Sequence, residues 1–400
     1  MKKPKKNYWE ERSRMSNIPK LRFPEFSGEW EEKKLEEICD PPKYGLNSAG
    51  IQFDGIHKYL RITDIDEITH TFSPTDITTP SEFNDEYLLN KNDIVFARTG
   101  ASTGKTYLYD SNDGDLYFAG FLIKFHVKDA NARFVFYQTL THKYSKWVHV
   151  MSTRSGQPGI NSEEYGSYKI KLPDIHEQQK IADFLSNVDS IITAETKILN
   201  TLQKKKKALI QKLFTRQLRF KSDDGTNFPE WEEKKVIDFA KVDTGANNTQ
   251  DKVEDGPYPF YVRSPIIYRS NKYIFDFPEA VLTVGDGVGT GKVFHYVQGK
   301  FDCHQRVYVI HDFENVLGKY FYFYFSEKFY ARVKPMSAKN SVDSVRREMI
   351  TDMKIPIPCK AEQQKIADCL SSIDSLIQTQ QKVVTTWQQR KKALLQQMFV

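Results

Sequence analysis

Cysteine is scarce in this chain, and long apolar runs are missing. The four cysteines are Cys39, Cys303, Cys359 and Cys369. They lie far apart and form no CxxC pair, so the sequence predicts neither a disulfide framework nor a zinc site. No segment approaches the roughly 18 consecutive apolar residues of a membrane-spanning helix, and no apolar stretch follows the lysine-rich start. These features predict a soluble protein of a reducing cytoplasm, with no metal bound to the chain.

Motifs for catalysis are also missing. Residues 100–106 read GASTGKT, with three residues between the glycines where a nucleotide-binding P-loop has four, and a strand instead of a helix is predicted to follow. The Asp40-Pro41-Pro42 segment is similar to an amino-methyltransferase motif, but Lys43 stands where an aromatic residue would stack on a flipped base. No Ser-His-Asp or Cys-His constellation stands out. We therefore expect no catalytic site.

What the sequence does contain is an internal repeat. Residues 177–214 recur as residues 362–399 with 21 of 38 positions identical, and both copies open with EQQKIAD. The pentapeptide WEEKK at residues 30–34 recurs at residues 231–235, each time preceded by an LRF. Between these matching segments the sequence diverges. A duplication of this kind predicts the order module, helix, module, helix.

The composition is that of a multidomain globular protein. Its 400 residues are 39% hydrophobic, which is enough for two or three packed cores. A net charge of +6 permits a polyanionic partner without requiring one. The repeat boundaries predict the following division: a basic, disordered tail over 1–20, a first module over 21–175, a first helix over 176–217, a second module over 218–358 and a second helix over 359–400.

Neither repeated helix contains glycine or proline, and apolar residues recur at a spacing of three or four. A 38-residue helix of about 57 Å favours an antiparallel coiled coil between the two copies, although each helix could instead pack on its own module. Lysines 204–207 could bind nucleic acid or simply remain solvated. The predicted helix and subunit interface consists of Ile181, Leu185, Val188, Ile192, Leu199, Leu202, Leu209, Ile366, Leu370, Ile373, Ile377, Val384, Trp387 and Leu394.

The modules are predicted to be α+β, each with a twisted sheet. Short runs rich in β-branched and aromatic residues predict strands over 58–62, 93–97, 106–109, 122–127, 280–284, 292–296 and 306–310. Longer segments over 132–148 and 314–333 predict one helix in each module. The two modules and the two long helices together give the fold class: two related mixed α/β domains joined by antiparallel coiled-coil helices.

A glycine-rich turn ending in lysine occurs once in each module. Gly100, Gly104 and Lys105 correspond to Gly287, Gly291 and Lys292. Such a turn could bring backbone N–H groups and one cation close to a phosphate, or it could be a purely structural hairpin.

Polar and basic loops supply further candidates for a ligand-facing surface. Arg, Gln, Asn and His are the side chains that read base edges in a DNA groove. The predicted DNA-binding residues are Tyr59, Arg61, Arg98, Thr99, Ser102, Lys105, Arg154, Ser155, Gln157, Asn161, Arg263, Ser264, Asp286, Lys292, His304, Gln305, Arg306, Lys339, Asn340, Arg346 and Arg347.

These features together resemble the DNA-specificity subunit of a type I restriction-modification system. The resemblance rests on the duplicated EQQKIAD, on LRFPEF followed by WEEKK, and on the ARTGASTGK and SGQPGIN segments at residues 97–105 and 155–161. It covers nearly the whole chain beyond residue 20. The second module departs from the pattern, since SAKNSVDSVRR stands at residues 337–347 in place of SGQPGIN.

The resemblance implies a bacterial, cytoplasmic protein whose modules are target-recognition domains, each reading one half of a bipartite site in double-stranded DNA. The paired helices would space the domains and dock two methyltransferase subunits, which in turn recruit restriction subunits. S-adenosylmethionine, ATP and Mg would bind those partner subunits and not this chain. The alternatives are a stand-alone DNA methyltransferase or nuclease, and a coiled-coil adaptor that does not bind DNA.

Overall fold

A computed structural model describes residues 17–153, 158–287, 289–337 and 344–399. The chain forms two compact units. The first unit comprises the chain up to Glu195 together with its end from Val383, and the second comprises Thr196–Lys382. Because each long helix runs through the boundary, each unit contains one module, part of the first long helix and part of the second.

The first unit is built on an antiparallel sheet of four strands in the order β2, β9, β6, β7, with a parallel pair β4 and β8 beside it. Its strands are β1 (Glu31–Lys34), β2 (Lys43–Tyr44), β3 (Gly50–Gln52), β4 (Lys58–Leu60), β5 (Thr78–Pro80), β6 (Asp93–Ala97), β7 (Thr106–Leu108), β8 (Leu116–Phe118), β9 (Leu122–His126) and β10 (Lys169–Leu172). Its helices are α1 (Ala132–Gln138), α2 (His142–Ser152), α3 (Ser162–Gly166) and the start of α4 (Ile175–Phe214).

The second unit contains a six-stranded sheet in the order β12, β17, β15, β16, β13, β14. Its strands are β11 (Glu232–Lys235), β12 (Lys241–Thr244), β13 (Tyr258–Tyr261), β14 (Ile267–Ser270), β15 (Phe275–Val284), β16 (Phe294–Cys303), β17 (Val307–His311) and β18 (Lys354–Ile357). Its helices are α5 (Gly318–Ser337), α6 (Arg347–Thr351) and the start of α7 (Lys360–Met398). The α+β class and the long helices predicted from the sequence are confirmed.

The two modules share a core topology. Strand β1 pairs with β10 as β11 pairs with β18, and β4 lies parallel to β8 as β13 lies parallel to β16. Asp93 pairs with His126 as Ala280 pairs with His311, which fixes the equivalence of the central strands. The stretch between β4 and β6 is therefore 14 residues longer than its counterpart. Two further extra residues lie where the continuous β16 is replaced by β7 and β8. Loops, and not the scaffold, account for the difference in length.

The prediction of one helix over 132–148 is wrong, since two helices form there. Thr141 has an extended backbone and its side chain accepts a hydrogen bond from Tyr144 N, which makes it the N-cap of α2. Thr139 ends α1, and its hydroxyl donates to Phe136 O at 2.7 Å. Threonine competes for backbone hydrogen bonds within a helix and favours caps, so this pair divides an otherwise helical segment.

The ends of the long helices belong to the module cores. In the first unit, Ile181, Leu185 and Phe399 are buried in one cluster with Trp30 and Phe134. The second unit repeats this with Phe214, Ile366 and Leu370 against Trp231 and Tyr320. The N-terminal end of each helix therefore packs on the module that precedes it, and its C-terminal end packs on the other module.

The predicted interface residues are all partly or fully withdrawn from solvent. The buried ones are Ile181, Leu185, Val188, Ile192, Leu199, Ile366, Leu370 and Val384. The half-buried ones are Leu202, Leu209, Ile373, Ile377, Trp387 and Leu394.

An ion pair joins the two helices in each unit. Lys391 lies 2.6 Å from Asp189 in the first unit, and Lys206 lies 2.5 Å from Asp374 in the second. Each pair connects the N-terminal half of one helix to the C-terminal half of the other, so the helices are antiparallel within each unit. The Asp189 carboxylate also accepts a hydrogen bond from the Tyr137 hydroxyl at 2.8 Å. Lys206, one of the lysines 204–207, therefore forms a structural ion pair. Neither interpretation of these lysines, as nucleic-acid binding or as solvated, included such a pair.

A second duplicated contact, here called the clasp, ties each module to the start of its long helix. Arg22 donates to both carboxylate oxygens of Glu177, at 2.8 and 2.7 Å. Arg219 donates to Glu362 in the same way, at 3.1 and 2.9 Å. Both glutamates are buried. The repeated LRF and EQQKIAD segments are thus two halves of one contact, because planar guanidinium and carboxylate groups match in a bidentate pair.

Candidate nucleic-acid interface

Four loops meet at one edge of the sheet in the second unit. They follow β12, β13, β15 and β16. Gln305 N donates to Asn247 O at 2.8 Å, and Gln305 Nε2 donates to Asn248 Oδ1 at 2.7 Å. Gly285 N donates to Arg306 O at 2.7 Å, which joins the remaining strand ends. The result is a continuous polar edge, here called the second loop edge.

The close approach of these loops requires glycine and a buried acid. A Cβ at Gly245 would lie 2.1 Å from Cys303 O, so no other residue fits there without moving the backbone. The buried Asp302 carboxylate accepts hydrogen bonds from Asn247 Nδ2 at 2.8 Å and from Ser270 Oγ at 2.9 Å. These bonds hold the Asn247 loop before any ligand arrives.

A charged cluster stands on this edge. Asp286 lies between two guanidinium groups, 3.4 Å from Arg263 Nη1 and 3.6 Å from Arg306 Nε. Arg306 is 64% exposed, whereas Asp286 is largely covered. One carboxylate therefore orients two arginines and leaves an excess of positive charge facing solvent. Guanidinium groups held in this way suit phosphate oxygens and the guanine edge.

The His304 side chain holds the backbone of Arg306, one of the residues of the charged cluster. Its buried ring accepts a hydrogen bond from Arg306 N at Nδ1, at 2.9 Å. Burial lowers the pKa of His304 below its ordinary value, and the positive charge of Arg263 lowers it further. The ring is therefore neutral at neutral pH, which is the form that can accept this bond. The side chain next to it, Gln305, is exposed.

The other predicted residues of the second unit lie at the surface with fewer contacts. Arg346 precedes α6 and is exposed. Arg347 lies 3.6 Å from Asp243, and Lys292 Nζ lies 4.9 Å from the centre of the Tyr330 ring. Ser264 is half-buried beside Arg263.

The first unit presents a corresponding edge, here called the first loop edge. Ile160 N donates to Arg98 O at 3.0 Å, and Thr99 forms a bridge with Gly159. The Arg98 guanidinium lies 5.0 Å from the centre of the Tyr44 ring. A Cβ at Gly45 would lie 2.1 Å from Ala119 O, as at Gly245 in the other unit. The same backbone construction thus carries different side chains.

Three predicted residues of the first unit are committed to internal contacts. The Tyr59 hydroxyl is inside the core and donates to Leu46 O at 2.7 Å. Arg61 donates two hydrogen bonds of 2.8 Å to Asp64. Lys105 is 8% exposed as a whole residue, and its ammonium donates to Ile65 O at 3.0 Å and contacts Glu67.

These contacts decide between the two interpretations for the first glycine-rich turn only. The turn at Lys105 is a structural hairpin, whereas its counterpart Lys292 is exposed. Asn161 is exposed but accepts a hydrogen bond from Glu164 N as the N-cap of α3, and Ser102 is half-buried in the turn before Lys105. Five further predicted residues, Arg154, Ser155, Gln157, Lys339 and Asn340, lie outside the described residues.

Sequence reasoning missed Tyr44 and Asn248 at the loop edges. The available signal was the Gly-x-Asn pattern at residues 45–47 and 245–247, which occurs at the same turn in both modules, although hydrogen bonding makes Asn247 the counterpart of Leu46. Only the tertiary structure shows that these residues belong to the edges. In each module, the segment that carries the missed residue lies close to a turn distant in sequence, at 119–121 in the first module and at 304–306 in the second.

We expect Lys105→Met to lower the free energy of unfolding by about 1–2 kcal/mol, because backbone acceptors inside the module lose their partner. The salt dependence of DNA binding should not change. Lys292→Met is the matched variant. It should leave stability within about 0.5 kcal/mol and reduce the slope of log K against log salt by about 1. Denaturant unfolding and salt-dependent binding measure both effects, and a changed salt slope for Lys105→Met would contradict the assignment.

No cluster of three or more His, Cys, Asp or Glu side chains suited to a metal ion occurs in the part of the chain that the structure describes. Among the same residues, no helix has the length and apolar content that a membrane crossing requires.

Comparison with known proteins identifies the family. The model of the type I restriction modification DNA specificity domain matches the chain twice, over residues 27–204 and 229–386. These matches cover most of the chain and fall one on each module with its helix. The chain therefore belongs to the family of type I restriction-modification specificity subunits, which recognise DNA sequence.

Individual relatives agree with this assignment. The type I restriction enzyme MjaVIII specificity subunit of Methanocaldococcus jannaschii is 26% identical over 342 residues, covering 78% of this chain and 79% of that protein. The EcoDI specificity subunit of Escherichia coli is 28% identical over 147 residues, covering 36% and 31%. The fold is similar to a crystal structure of an S subunit from M. genitalium, with a TM-score of 0.67 and 15% identity over 96% of this chain and 99% of that one.

Proposed function

We propose that the two loop edges read the two halves of an asymmetric bipartite site in double-stranded DNA. The observation that carries this proposal is the pairing of one backbone construction with two sets of side chains. Both edges close at a glycine that meets a carbonyl, at Gly45 and Gly245. The exposed groups differ, with Arg98 and Tyr44 on one edge and the Arg263, Asp286 and Arg306 cluster on the other. Because the backbone is built in the same way but the exposed side chains differ, the two edges are expected to read two different half-sites.

The paired helices are proposed to set the distance between half-sites and to dock two methyltransferase subunits. Apolar side chains that remain exposed on α4 and α7 support a protein partner, since soluble chains rarely expose such rows without one. They are Ile175, Phe184, Ile191, Ile198 and Leu376. In the first unit, a groove of about 420 Å³ lies between Val188 and Ile191 on α4 and Trp387 and Leu394 on α7.

In this proposal the chain recognises the target sequence and acts as a scaffold for its partner subunits. It performs no catalysis, and it lies in the cytoplasm of its cell. S-adenosylmethionine would bind the methyltransferase subunits, and ATP and Mg the restriction subunits that these recruit. The competing functions are a methyltransferase or nuclease acting alone, and an adaptor that does not bind DNA. Methylation or cleavage by the purified chain alone would favour the first competitor. A complete complex with no preferred sequence would favour the second.

The test is methylome sequencing of cells that carry the complete system, with wild-type chain and with Arg306→Ala. The wild type should give one asymmetric bipartite site. Arg306→Ala should weaken discrimination at one position of one half-site by roughly tenfold to a hundredfold, because a bidentate arginine contact with guanine is lost. The other half-site should stay unchanged.

Lys354→Ala is the matched control, since this lysine on β18 is as exposed as Arg306 and pairs with Glu233 on the neighbouring strand. It should leave both half-sites intact. Loss of discrimination in both half-sites with Arg306→Ala, or an equal effect of Lys354→Ala, would contradict the proposed reading edge.

A further inference from the structure

Phe121 is an apolar side chain held outward at the first loop edge. It is 61% exposed, although the next residue, Leu122, is completely buried. The turn that carries it is fixed by backbone hydrogen bonds: Gly120 N donates to Leu46 O at 2.8 Å, Leu122 N to Ala119 O at 2.8 Å, and Arg98 N to Phe121 O at 3.1 Å. A turn bonded on both sides cannot easily fold the ring back onto the module. Its exposure is therefore a built feature of the loop.

These three hydrogen bonds and a fourth, from Ala119 N to Leu60 O, recur around Arg306 in the second unit. His304 N donates to Tyr261 O as Ala119 N donates to Leu60 O, and Gln305 N donates to Asn247 O as Gly120 N donates to Leu46 O. The turn then closes through Val307 N to His304 O, and Gly285 N donates to Arg306 O as Arg98 N donates to Phe121 O. Phe121 and Arg306 thus occupy the same position in the two modules, a correspondence that the divergent loop sequences conceal.

The two side chains suit different bases. A guanidinium group donates two hydrogen bonds to guanine O6 and N7, whereas a phenyl ring offers no hydrogen bond and instead contacts the 5-methyl group of thymine in the major groove. Beside Phe121, the Arg98 guanidinium lies over the Tyr44 ring, where it can contact a phosphate. The edge thus combines one positioning cation with one apolar reader.

We infer that Phe121 is a specificity-determining residue that reads a thymine through its 5-methyl group in the first half-site, at the place where Arg306 reads a base in the second. This inference rests on the proposed reading of DNA by both loop edges. The inference assigns one reading residue, and the base that it reads, to the first loop edge.

The test uses the complete methyltransferase complex and a duplex carrying its mapped site. Each thymine of the first half-site is replaced in turn by deoxyuridine, which removes only the 5-methyl group. One replacement should weaken binding of the wild-type complex by roughly fourfold, the contribution of one buried methyl group. The complex with Phe121→Ala should bind the thymine and deoxyuridine duplexes equally. Ile68→Ala, an exposed apolar residue in another loop of the same module, should behave as the wild type.

Several outcomes would overturn the inference. They are a first half-site without thymine, a wild-type complex insensitive to every deoxyuridine, and a Phe121→Ala complex that keeps the wild-type sensitivity. Weaker binding by Phe121→Ala on both duplexes, together with loss of DNA bending, would instead indicate a minor-groove wedge and also overturn it. The deoxyuridine scan needs no variant, so a misfolded Phe121→Ala leaves the test intact. Failure of the proposed function is distinguishable, because the wild-type complex would then select no bipartite site.

Discussion

Replacing Glu362 by alanine is expected to lower the free energy of unfolding of the second unit by about 3 kcal/mol, because the acid is the buried half of the clasp. Its carboxylate accepts from Arg219 and also from Trp231 Nε1, at 2.9 Å. Without it, the indole N–H has no acceptor in a largely covered site, and the guanidinium keeps only Glu230 and two backbone carbonyl oxygens as acceptors. Chemical denaturation of the full chain measures the loss.

Two variants calibrate this expectation. Glu177→Ala removes the equivalent acid of the first unit, where Trp30 Nε1 has no hydrogen-bond partner among the described residues, so its effect should be smaller by about 1 kcal/mol. Glu233→Ala removes an exposed partner of Lys354 and should change stability by less than about 0.5 kcal/mol. Unfolding of Glu362→Ala at the same denaturant concentration as Glu233→Ala would show that the clasp is not a stabilising contact.

Lengthening both long helices by seven residues should change the target site without changing its half-sites. The insertions belong after Glu195 and after Lys382, at the boundary between the two compact units, so that each unit keeps its own ion pair and core. Seven residues keep the apolar stripe in phase and add about 10 Å of helix. At about 3.4 Å per base pair, the proposed spacer should grow by roughly three base pairs.

Methylome sequencing reads this result directly. The wild-type site should disappear from the methylated set, and the same half-sites should reappear at the larger spacing. A seven-residue insertion in the exposed turn at residues 223–226 is the control, since it lengthens the chain but neither helix, and it should leave the spacing unchanged. New half-site sequences in the lengthened variant would contradict the role of the helices as a spacer.

Much of the fold could be predicted because its signals are local. Helices α4 and α7 follow from apolar residues at a spacing of three or four, a pattern that one face of a helix imposes on any sequence. Strand β6 was predicted at its observed bounds, since Asp93 is followed by a short apolar run that is rich in β-branched and aromatic residues. The break between α1 and α2 was missed because threonine is weakly unfavourable in a helix and becomes a cap only when the chain turns.

The candidate site was harder to predict than the fold. Lys105 and Lys292 end the same motif, yet one is buried against backbone carbonyls and the other is exposed. The longer stretch between β4 and β6 supplies those carbonyls, from Ile62 and Ile65, and nothing in the motif indicates it. Phe121 and Arg306 were not paired, since their equivalence is defined by hydrogen bonds to residues distant in sequence.

The sequence by itself determined the duplication, the long helices, the α+β class and the family, because repetition, periodicity and extended motifs survive in the order of residues. Only the tertiary structure decided which polar side chains face outward. It showed Tyr59 and Lys105 turned inward, Arg306 and Phe121 at equivalent loop positions, and Arg22 and Arg219 bound to acids of the long helices. The physical reason is that exposure and hydrogen bonding depend on residues far apart in the chain, so they are settled only when the sheets and helices pack.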